Sequence, residues 1–309
     1  MPVLAHDEHL LDRAAMVALR GMMALSDGPT VSPAGRPAYD QLIARTSMPE
    51  GMTFTAGEVG GVAGWWCLPA DAMPGRAILY LHGGAYVLGS AEAYRGLAGQ
   101  IAERARAATF VADYRLAPEH PFPAAFDDAC RALEGLCAAG FESVALAGDS
   151  AGGGLALAML ASGAVTTRAV AAALFSPWVD LSLTSPTIES RAAADPILSR
   201  DMLEAGASQY LGSADPRDPR VNALSGDLSA LPPVRIDVGD DEILLDDSLR
   251  FGERAEAAGV RCDVHVWKGM VHVFPANIAM LKAATEALDG VGAFLDEAFA
   301  GAVPPHRAI

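Results

Sequence analysis

A serine flanked by small residues is the first feature of this sequence that could carry chemistry. Residues 148–152 read GDSAG, with Ser150 in the middle and a glycine two positions away on each side. An apolar run at 143–147 leads into this segment, and a helix-like run at 155–160 follows it. A serine at such a strand–turn–helix junction projects its Oγ from the sheet edge, where the free N–H groups of the helix N-terminus face any anion that forms. We therefore predict that Ser150 is a nucleophile.

A serine nucleophile needs a base, which is normally a histidine oriented by a carboxylate. His272 follows the strand-like segment 264–267 and precedes the final helical pattern. This position places His272 in a loop at the same sheet edge as Ser150, so we predict that it is the general base. His265 alternates with valines and is interpreted as a side chain on one face of a strand. No catalytic role is predicted for the histidines in terminal or proline-flanked segments, which are His6, His9, His120 and His306.

The orienting carboxylate should follow the preceding parallel strand, where the sequence is rich in acids. Residues 238–247 read VGDDEILLDD. Asp240, Asp241 and Glu242 all lie close to the predicted strand end, and the pattern does not choose among them. The two later aspartates of this run are interpreted as charges in the first turn of a helix, where they interact favourably with the helix dipole.

Backbone donors for the oxyanion are predicted next to another strand. HGGAY at 82–86 directly follows the apolar run 77–81, and consecutive glycines allow N–H groups to point into a cavity. His82 is interpreted as a residue that organises this loop. Tyr86 is the candidate substrate-binding residue, with packing against a lid as the alternative. The predicted oxyanion hole consists of the N–H groups of Gly83, Gly84 and Ala151.

Around these residues, strand-like and helix-like patterns alternate along the chain. Apolar or alternating runs predict strands near 53–55, 62–67, 77–81, 109–112, 144–146, 170–175, 234–238 and 264–267. Helical periodicity predicts helices near 92–105, 124–138, 151–162, 200–211, 246–258 and 276–297. Strands that alternate with helices of about ten to twenty residues imply parallel crossovers. We predict an α/β fold with a mostly parallel, doubly wound sheet.

Two segments fall outside this alternation, and we predict that they form a helical cap. The N-terminal segment, residues 1–48, contains an amphipathic pattern that ends near Leu25 and a shorter helical pattern after it. Residues 177–223 form an insertion with many prolines and charges, which is too long for an ordinary crossover. Long insertions often cover a site. The core of the fold is then predicted to comprise residues 49–176 and 224–309.

The composition limits the possible functions. The chain has 309 residues, of which 51% are hydrophobic and 19% charged, so it can bury a large core. Its net charge of -16 argues against nucleic acid or an anionic membrane as a partner, because both require a basic surface. The first residues show no secretory signal, so we expect a cytoplasmic protein that acts on a small molecule. The sequence leaves the oligomeric state open, with a homodimer as one alternative.

The cysteines do not suggest a metal site. The chain contains four of them, Cys67, Cys130, Cys137 and Cys262. They show no C-x-x-C pairing, and none lies beside a histidine at the spacing of metal ligands. We therefore predict buried thiols rather than a zinc site or a disulfide framework.

Together, these motifs resemble the hormone-sensitive-lipase-like branch of the α/β-hydrolase esterases. The resemblance extends over nearly the whole length of the chain, and the matching segments read HGG at 82–84, YRLAPEHPFPA at 114–124, GDSAGG at 148–153, SPW at 176–178 and GMVHVF at 269–274. The resemblance implies an α/β-hydrolase fold with a cap made from the N-terminal helices and the insertion. It also implies that the protein hydrolyses short-chain carboxylic esters through an acyl-enzyme intermediate and uses no cofactor.

The resemblance favours one of the three candidate acids. The usual pattern in this family is Asp-x-Leu-x-Asp, with the first aspartate in the triad, and it aligns here with EILLD at 242–246. Glu242 then takes the catalytic position. Asp240 or Asp241 would serve only if the loop were shifted by one or two residues. A glutamate can orient a histidine in the same way as an aspartate if the backbone leaves room for one more methylene.

Two other functions share parts of this pattern. An amidase, a formamidase or another acyl hydrolase would use the same triad with a different pocket. A non-catalytic small-molecule receptor on this fold would lack the triad histidine, whereas His272 is present. We therefore expect a serine carboxylesterase in which Ser150 attacks the ester, His272 transfers the proton and Glu242 orients the imidazole.

Overall fold

The computed structural model describes residues 3–23, 28–164 and 169–302. The predicted end of the first helix near Leu25 and the histidine at position 306 lie outside these residues. The strands are β1 (Val3–His6), β2 (Met52–Val59), β3 (Val62–Pro69), β4 (Arg76–Leu81), β5 (Ala108–Ala112), β6 (Ser143–Asp149), β7 (Ala169–Phe175), β8 (Val234–Gly239) and β9 (Cys262–Trp267). The helices are α1 (Leu10–Met23), α2 (Arg36–Ile43), α3 (Arg95–Ala105), α4 (Ala124–Ala138), α5 (Ser150–Ala161), α6 (Thr187–Ser190), α7 (Arg200–Leu211), α8 (Leu245–Ala257) and α9 (Lys282–Gly301).

The strands form one twisted sheet in the order β1-β9-β8-β7-β6-β4-β5-β3-β2. The pairs β2·β3 and β3·β5 are antiparallel, and the other pairs in the described residues are parallel. The predicted mostly parallel α/β sheet is therefore confirmed.

The central strands are continuous apolar runs because helices cover both faces of the sheet. On one face, α4, α5 and α8 contribute to one hydrophobic cluster, which includes Leu133, Leu157 and Phe251. On the other face, α3 and α9 contribute to a second cluster, which includes Ile101 and Leu295. Every residue of α5 is buried, which explains why its sequence is apolar on all sides.

Parallel pairing brings several loops to one edge of the sheet. Strands β4, β6, β7, β8 and β9 run in the same direction, so the segments that follow them meet at their carboxyl ends. Ligand sites in open α/β sheets lie at this edge. Ser150 follows β6 and His272 follows β9, as the sequence predicts.

The first strand was not predicted from the sequence. β1 pairs in parallel with β9, with Val3 opposite Val264 and His6 opposite Trp267. The His6 ring stacks on Trp267 with centroids 3.8 Å apart, and its Nε2 lies 2.9 Å from Nδ1 of His265. Both histidines therefore have a structural role where the outermost strand, β1, pairs with β9.

The insertion between β7 and β8 contains α6 and α7 and no strand, and all of its residues are described. It contacts the N-terminal segment, since Nε2 of Gln209 donates to the carbonyl of Val31 at 2.8 Å. The division into a core and a two-part cap stays a prediction. Within the described ranges, no helix combines the length and apolar character needed to cross a membrane.

Candidate active site

Ser150 lies at a sharp turn between a strand and a helix. β6 ends at Asp149, α5 begins at Ser150, and the φ angle of Ser150 is 50°. The flanking glycines are required by close packing, because a Cβ on Gly152 would lie 2.0 Å from the carbonyl oxygen of Leu81, and one on Gly148 would lie 2.6 Å from it. The small residues around the serine therefore let α5 and β6 pass directly beside the end of β4.

His272 is held by Glu242. Nδ1 of His272 lies 2.7 Å from Oε2 of Glu242, and both side chains are buried. An ionised carboxylate can only accept, so Nδ1 carries a proton, and in the neutral imidazole Nε2 then has a free lone pair. Burial by itself lowers the pKa of His272, but the charge of Glu242, their hydrogen bond, and the charges of Asp195 and Asp149 raise it above its ordinary value. This arrangement gives a histidine that is ready to accept a proton at Nε2.

The two aspartates that the sequence left as alternatives have other partners. Oδ1 of Asp240 accepts a hydrogen bond from the N–H of Gly269 at 2.6 Å. Oδ2 of Asp241 pairs with Nη2 of Arg20 at 2.6 Å. Of the three acids, the structure places Glu242 against the imidazole.

Sequence reasoning missed the role of Ser176 beside the glutamate. Its Oγ donates to Oε1 of Glu242 at 2.7 Å and accepts from the N–H of Val273 at 3.1 Å. The N–H of Gly239 also donates to Oε1 of Glu242, at 2.8 Å. Ser176 therefore connects the acid to the residue after His272. The SPW motif, which starts at this serine, was the available signal.

We call residues 82–86, where the oxyanion donors are predicted, the oxyanion loop. The N–H of Gly83 donates to Oδ1 of Asp149 at 3.0 Å, so this predicted donor already has a buried partner. Gly84 and Ala85 follow with φ angles of 113° and 53°, and neither N–H donates to another described residue. The N–H of Ala151 belongs to the first turn of α5, where helical N–H groups lack a helical partner. These three N–H groups are the available donors.

Asp149 and His82 hold the oxyanion loop in place. The buried carboxylate of Asp149 also accepts from the hydroxyls of Tyr80, at 2.7 Å, and Tyr94, at 3.1 Å. The His82 ring stacks on Tyr114 with centroids 4.3 Å apart, and the Tyr114 hydroxyl donates to the carbonyl of His82 at 2.6 Å. The interpretation of His82 as a residue that organises the loop agrees with these contacts.

Tyr86 packs against the insertion. Its ring is fully buried and stacks on Tyr210 of α7, with centroids 3.8 Å apart and planes 4° apart. Of the two alternatives for Tyr86, the structure therefore shows packing against the insertion, and a contact with substrate stays a prediction. Nearby, a Cβ on Gly206 would lie 2.8 Å from Cβ of Ala85, so α7 lies directly against the oxyanion loop.

No group of three or more histidine, cysteine, aspartate or glutamate side chains that could hold a metal ion occurs in the described part of the chain. The chemistry that this arrangement supports is that of a hydroxyl nucleophile, an imidazole base and a buried carboxylate.

Comparisons with known proteins point to the same chemistry. The profile of the α/β-hydrolase fold family matches residues 78–276. An acetyl-hydrolase of Streptomyces hygroscopicus is 39% identical over 269 residues, which cover 84% of this chain and 88% of the relative. An esterase of Acinetobacter venetianus is 36% identical over 272 residues, covering 84% and 87%. Among solved structures, an esterase from the bacterial hormone-sensitive lipase family has a TM-score of 0.87 at 33% identity, covering 94% of this chain and 99% of that chain. EstE5, which was soaked with p-nitrophenyl butyrate, has a TM-score of 0.84 at 35% identity, covering 93% and 99%.

Proposed function

Because this chain belongs to the α/β-hydrolase family, in the branch of the hormone-sensitive-lipase-like carboxylesterases, we propose that it hydrolyses esters with a triad of Ser150, His272 and Glu242. The enzyme is a carboxylic ester hydrolase, and the assignment of its residues is the proposal. The observation that carries this assignment is the 2.7 Å contact between Nδ1 of His272 and Oε2 of Glu242. It leaves Nε2 as the basic atom, at the sheet edge from which Ser150 projects.

The proposed reaction has two steps. In the first, Oγ of Ser150 attacks the ester carbonyl while Nε2 of His272 takes its proton, and the C–O bond to the alcohol then breaks as His272 returns the proton to the leaving oxygen. In the second step, water adds to the acyl carbonyl while Nε2 of His272 takes its proton, and the C–O bond to Ser150 then breaks as His272 returns the proton to Oγ and the carboxylic acid leaves. Glu242 keeps the imidazole in the reactive tautomer and stabilises the imidazolium in both steps.

The negative oxygen of each tetrahedral intermediate would be bound by backbone N–H groups. We assign this role to Gly84 and Ala151, which were predicted, and to Ala85 in place of Gly83. Preorganised N–H donors contribute about 3–4 kcal/mol each to transition-state stabilisation when they are aimed at the developing charge. The contact of Gly83 with Asp149 supports this assignment, because it fixes the residue that precedes the two donors in the loop.

We propose that residues 1–48 and 177–223 form a cap over this site, on a core of residues 49–176 and 224–309. The stacking of Tyr86 on Tyr210 supports the proposal, because it places a helix of the insertion against the oxyanion loop. A covered site of this kind would limit the length of the acyl group, so we propose short-chain esters as substrates.

We propose a cytoplasmic location, which is supported by the free, buried thiols of Cys67 and Cys262, since disulfides are rare in reducing compartments. A homodimer stays a prediction, and light scattering on the purified protein measures the oligomeric state.

The test compares esters with amides. We expect turnover of p-nitrophenyl butyrate and little turnover of the p-nitroanilide of the same acid. Ser150→Ala should lower kcat on the ester by roughly 10⁶-fold, to the level left by binding and the oxyanion hole. Faster cleavage of the anilide would indicate an amidase with the same triad. Substantial ester hydrolysis by Ser150→Ala would show that the triad is wrongly assigned.

A further inference from the structure

The segment that carries the proposed triad acid is bound to the insertion through two backbone groups, the N–H and the carbonyl of Ile243. We call residues 240–244, between β8 and α8, the acid loop. Oδ2 of Asp195 accepts from the N–H of Ile243 at 2.9 Å, and Oγ1 of Thr187 donates to the carbonyl of Ile243 at 2.8 Å. Ile243 directly follows Glu242, so these contacts fix the backbone immediately beside the acid.

Asp195 is well suited to hold two segments together. Its carboxylate is buried, and its second oxygen accepts from the N–H groups of Ile197, at 2.8 Å, and Leu198, at 2.9 Å. One carboxylate thus accepts three backbone N–H groups, two from the approach to α7 and one from the acid loop. A neutral amide at this position has only one acceptor oxygen, so it would leave at least one of these donors facing an NH₂ group.

The N-terminal segment joins the same set of contacts. Arg20 of α1 pairs with Asp241 of the acid loop at 2.6 Å, and its other terminal nitrogen donates to the carbonyl of Ala194, the residue before Asp195. Both predicted cap segments therefore meet at the acid loop rather than only at the mouth of the site.

We propose that Asp195 is a positioning residue, which fixes the acid loop so that Glu242 reaches His272 and so that the triad assembles only when the insertion is docked. This inference rests on the proposed function. Misplacement of a catalytic group by about 1 Å can lower the rate by about 10²-fold, which is the scale of effect that a loosened acid loop would produce.

The charge of Asp195 supplies a readout that a purely structural residue would not affect. Glu242, Asp195 and Asp149 are the acids that raise the pKa of His272. The acidic limb of kcat/KM reports the pKa of the base in the free enzyme, because the imidazole must be neutral to accept the serine proton. Removal of the charge at Asp195 lowers this pKa, so the acidic limb should move to lower pH.

The experiment uses the full chain and p-nitrophenyl butyrate. For Asp195→Asn we expect kcat to fall about 10- to 100-fold, KM to change by less than about twofold, and the acidic limb to move to lower pH. The matched control is Asp215→Asn, because Asp215 lies in the same insertion and accepts from the N–H of Arg217 at 2.9 Å but is exposed and has no contact with the acid loop. The control should retain the kcat and pH profile of the wild type.

A second pair of variants tests the attachment of the acid loop to the insertion without touching Asp195. Thr187→Val keeps the shape of the side chain but removes the hydroxyl, which donates to the carbonyl of Ile243 and accepts from the N–H of Asp246 at 3.0 Å, and Thr187→Ser keeps that hydroxyl. We expect kcat to fall about 3- to 10-fold in Thr187→Val and to return to within about twofold of the wild type in Thr187→Ser. If Asp195→Asn does not fold, wild-type kcat in Thr187→Val overturns the inference, because it would show that the attachment of the acid loop to the insertion does not position Glu242.

The outcomes separate this inference from the proposed function. If the wild type is active, Ser150→Ala is inactive, and both Asp195→Asn and Thr187→Val retain the wild-type kcat and acidic limb, the positioning role is wrong and the triad stands. A loss confined to KM also overturns it, because that would make Asp195 a part of substrate binding. Substantial activity in Ser150→Ala would instead overturn the triad and this inference with it.

Discussion

Several residues around the proposed site have backbone conformations that L-amino acids rarely adopt. Positive φ angles occur at five non-glycine positions there, which are Ala85, Tyr86, Ser150, Ser176 and Val273. Such conformations are unfavourable and persist only where the surrounding structure holds them. Here they direct the nucleophile and the oxyanion loop toward one edge of the sheet, and Tyr86, Ser150 and Ser176 are held in place by their burial.

The choice of acid is tested at single residues. Glu242→Gln should lower kcat on p-nitrophenyl butyrate by about 10⁴-fold, because the amide can donate to Nδ1 of His272 and so favours the wrong tautomer. Asp240→Asn is the control, since the side chain of Asp240 accepts from the N–H of Gly269 and does not contact His272, and the kcat of this variant should change by less than about threefold. Circular dichroism checks that both variants fold. A large loss in Asp240→Asn with little loss in Glu242→Gln would show that Asp240, rather than Glu242, orients His272.

The sequence could place Ser150 and His272 at one edge of the sheet, because Ser150 directly follows β6 and His272 lies in the loop between β9 and the final helix. It could not identify the engagement of Gly83, since that depends on the buried carboxylate of Asp149, which reaches across from the next strand. It could not choose among the acids from the residues alone, because the choice depends on how one short loop lies against β9.

At the scale of secondary structure, the long apolar or periodic segments were predictable. β4 to β9 and α3 to α9 owe their patterns to burial on one or both faces, with the short α6 as the exception. β1 has only four residues, three of them exposed, so its sequence shows no alternation. It is a strand because it pairs with β9 and because His6 stacks on Trp267. Tertiary contacts of this kind leave no local signal.

The packing of α5 can be tested with glycine variants. A Cβ on Gly154 would lie 1.9 Å from the carbonyl oxygen of Trp178, and this backbone atom cannot easily move. Gly154→Ala should therefore destabilise the fold by about 1–3 kcal/mol through overpacking. Gly21→Ala in α1 is the control, because no atom lies within 4 Å of its added Cβ, and a helical alanine should stabilise the fold by about 0.5–1 kcal/mol. Denaturant unfolding of both variants measures these changes, and equal stability of the two would contradict the packing described for α5.

At the scale of the whole molecule, the two histidines where β1 pairs with β9, His6 and His265, should make the stability of the fold depend on pH. Burial lowers the pKa of His265 from 6.5 to about 4, and burial also lowers that of His6. A depressed histidine pKa means that the native state favours the neutral ring. The stability that this pair contributes is therefore present above about pH 6.5 and is lost as the pH falls toward about 4.

His265→Gln should reduce this dependence, because it removes one of the two titrating rings. We expect the fall in Tm between pH 7 and pH 5 to be smaller in the variant by about 2 °C. Comparison with the wild type is needed because burial raises the pKa of Asp247 to about 7, and this group changes stability in the opposite direction over the same range. An unchanged pH dependence of Tm in His265→Gln would show that the pair of His6 and His265 does not make stability depend on pH.

The central claim, that Ser150 is the nucleophile of a serine esterase, is tested most directly by covalent labelling. Diethyl p-nitrophenyl phosphate transfers its diethylphosphoryl group to an activated serine with release of p-nitrophenolate. Intact-mass measurement and peptide mapping should find one adduct per chain, located on Ser150, with ester hydrolysis falling in proportion to the labelled fraction. Complete labelling of Ser150 with retained activity, or complete inactivation with the adduct on another residue, would contradict the account.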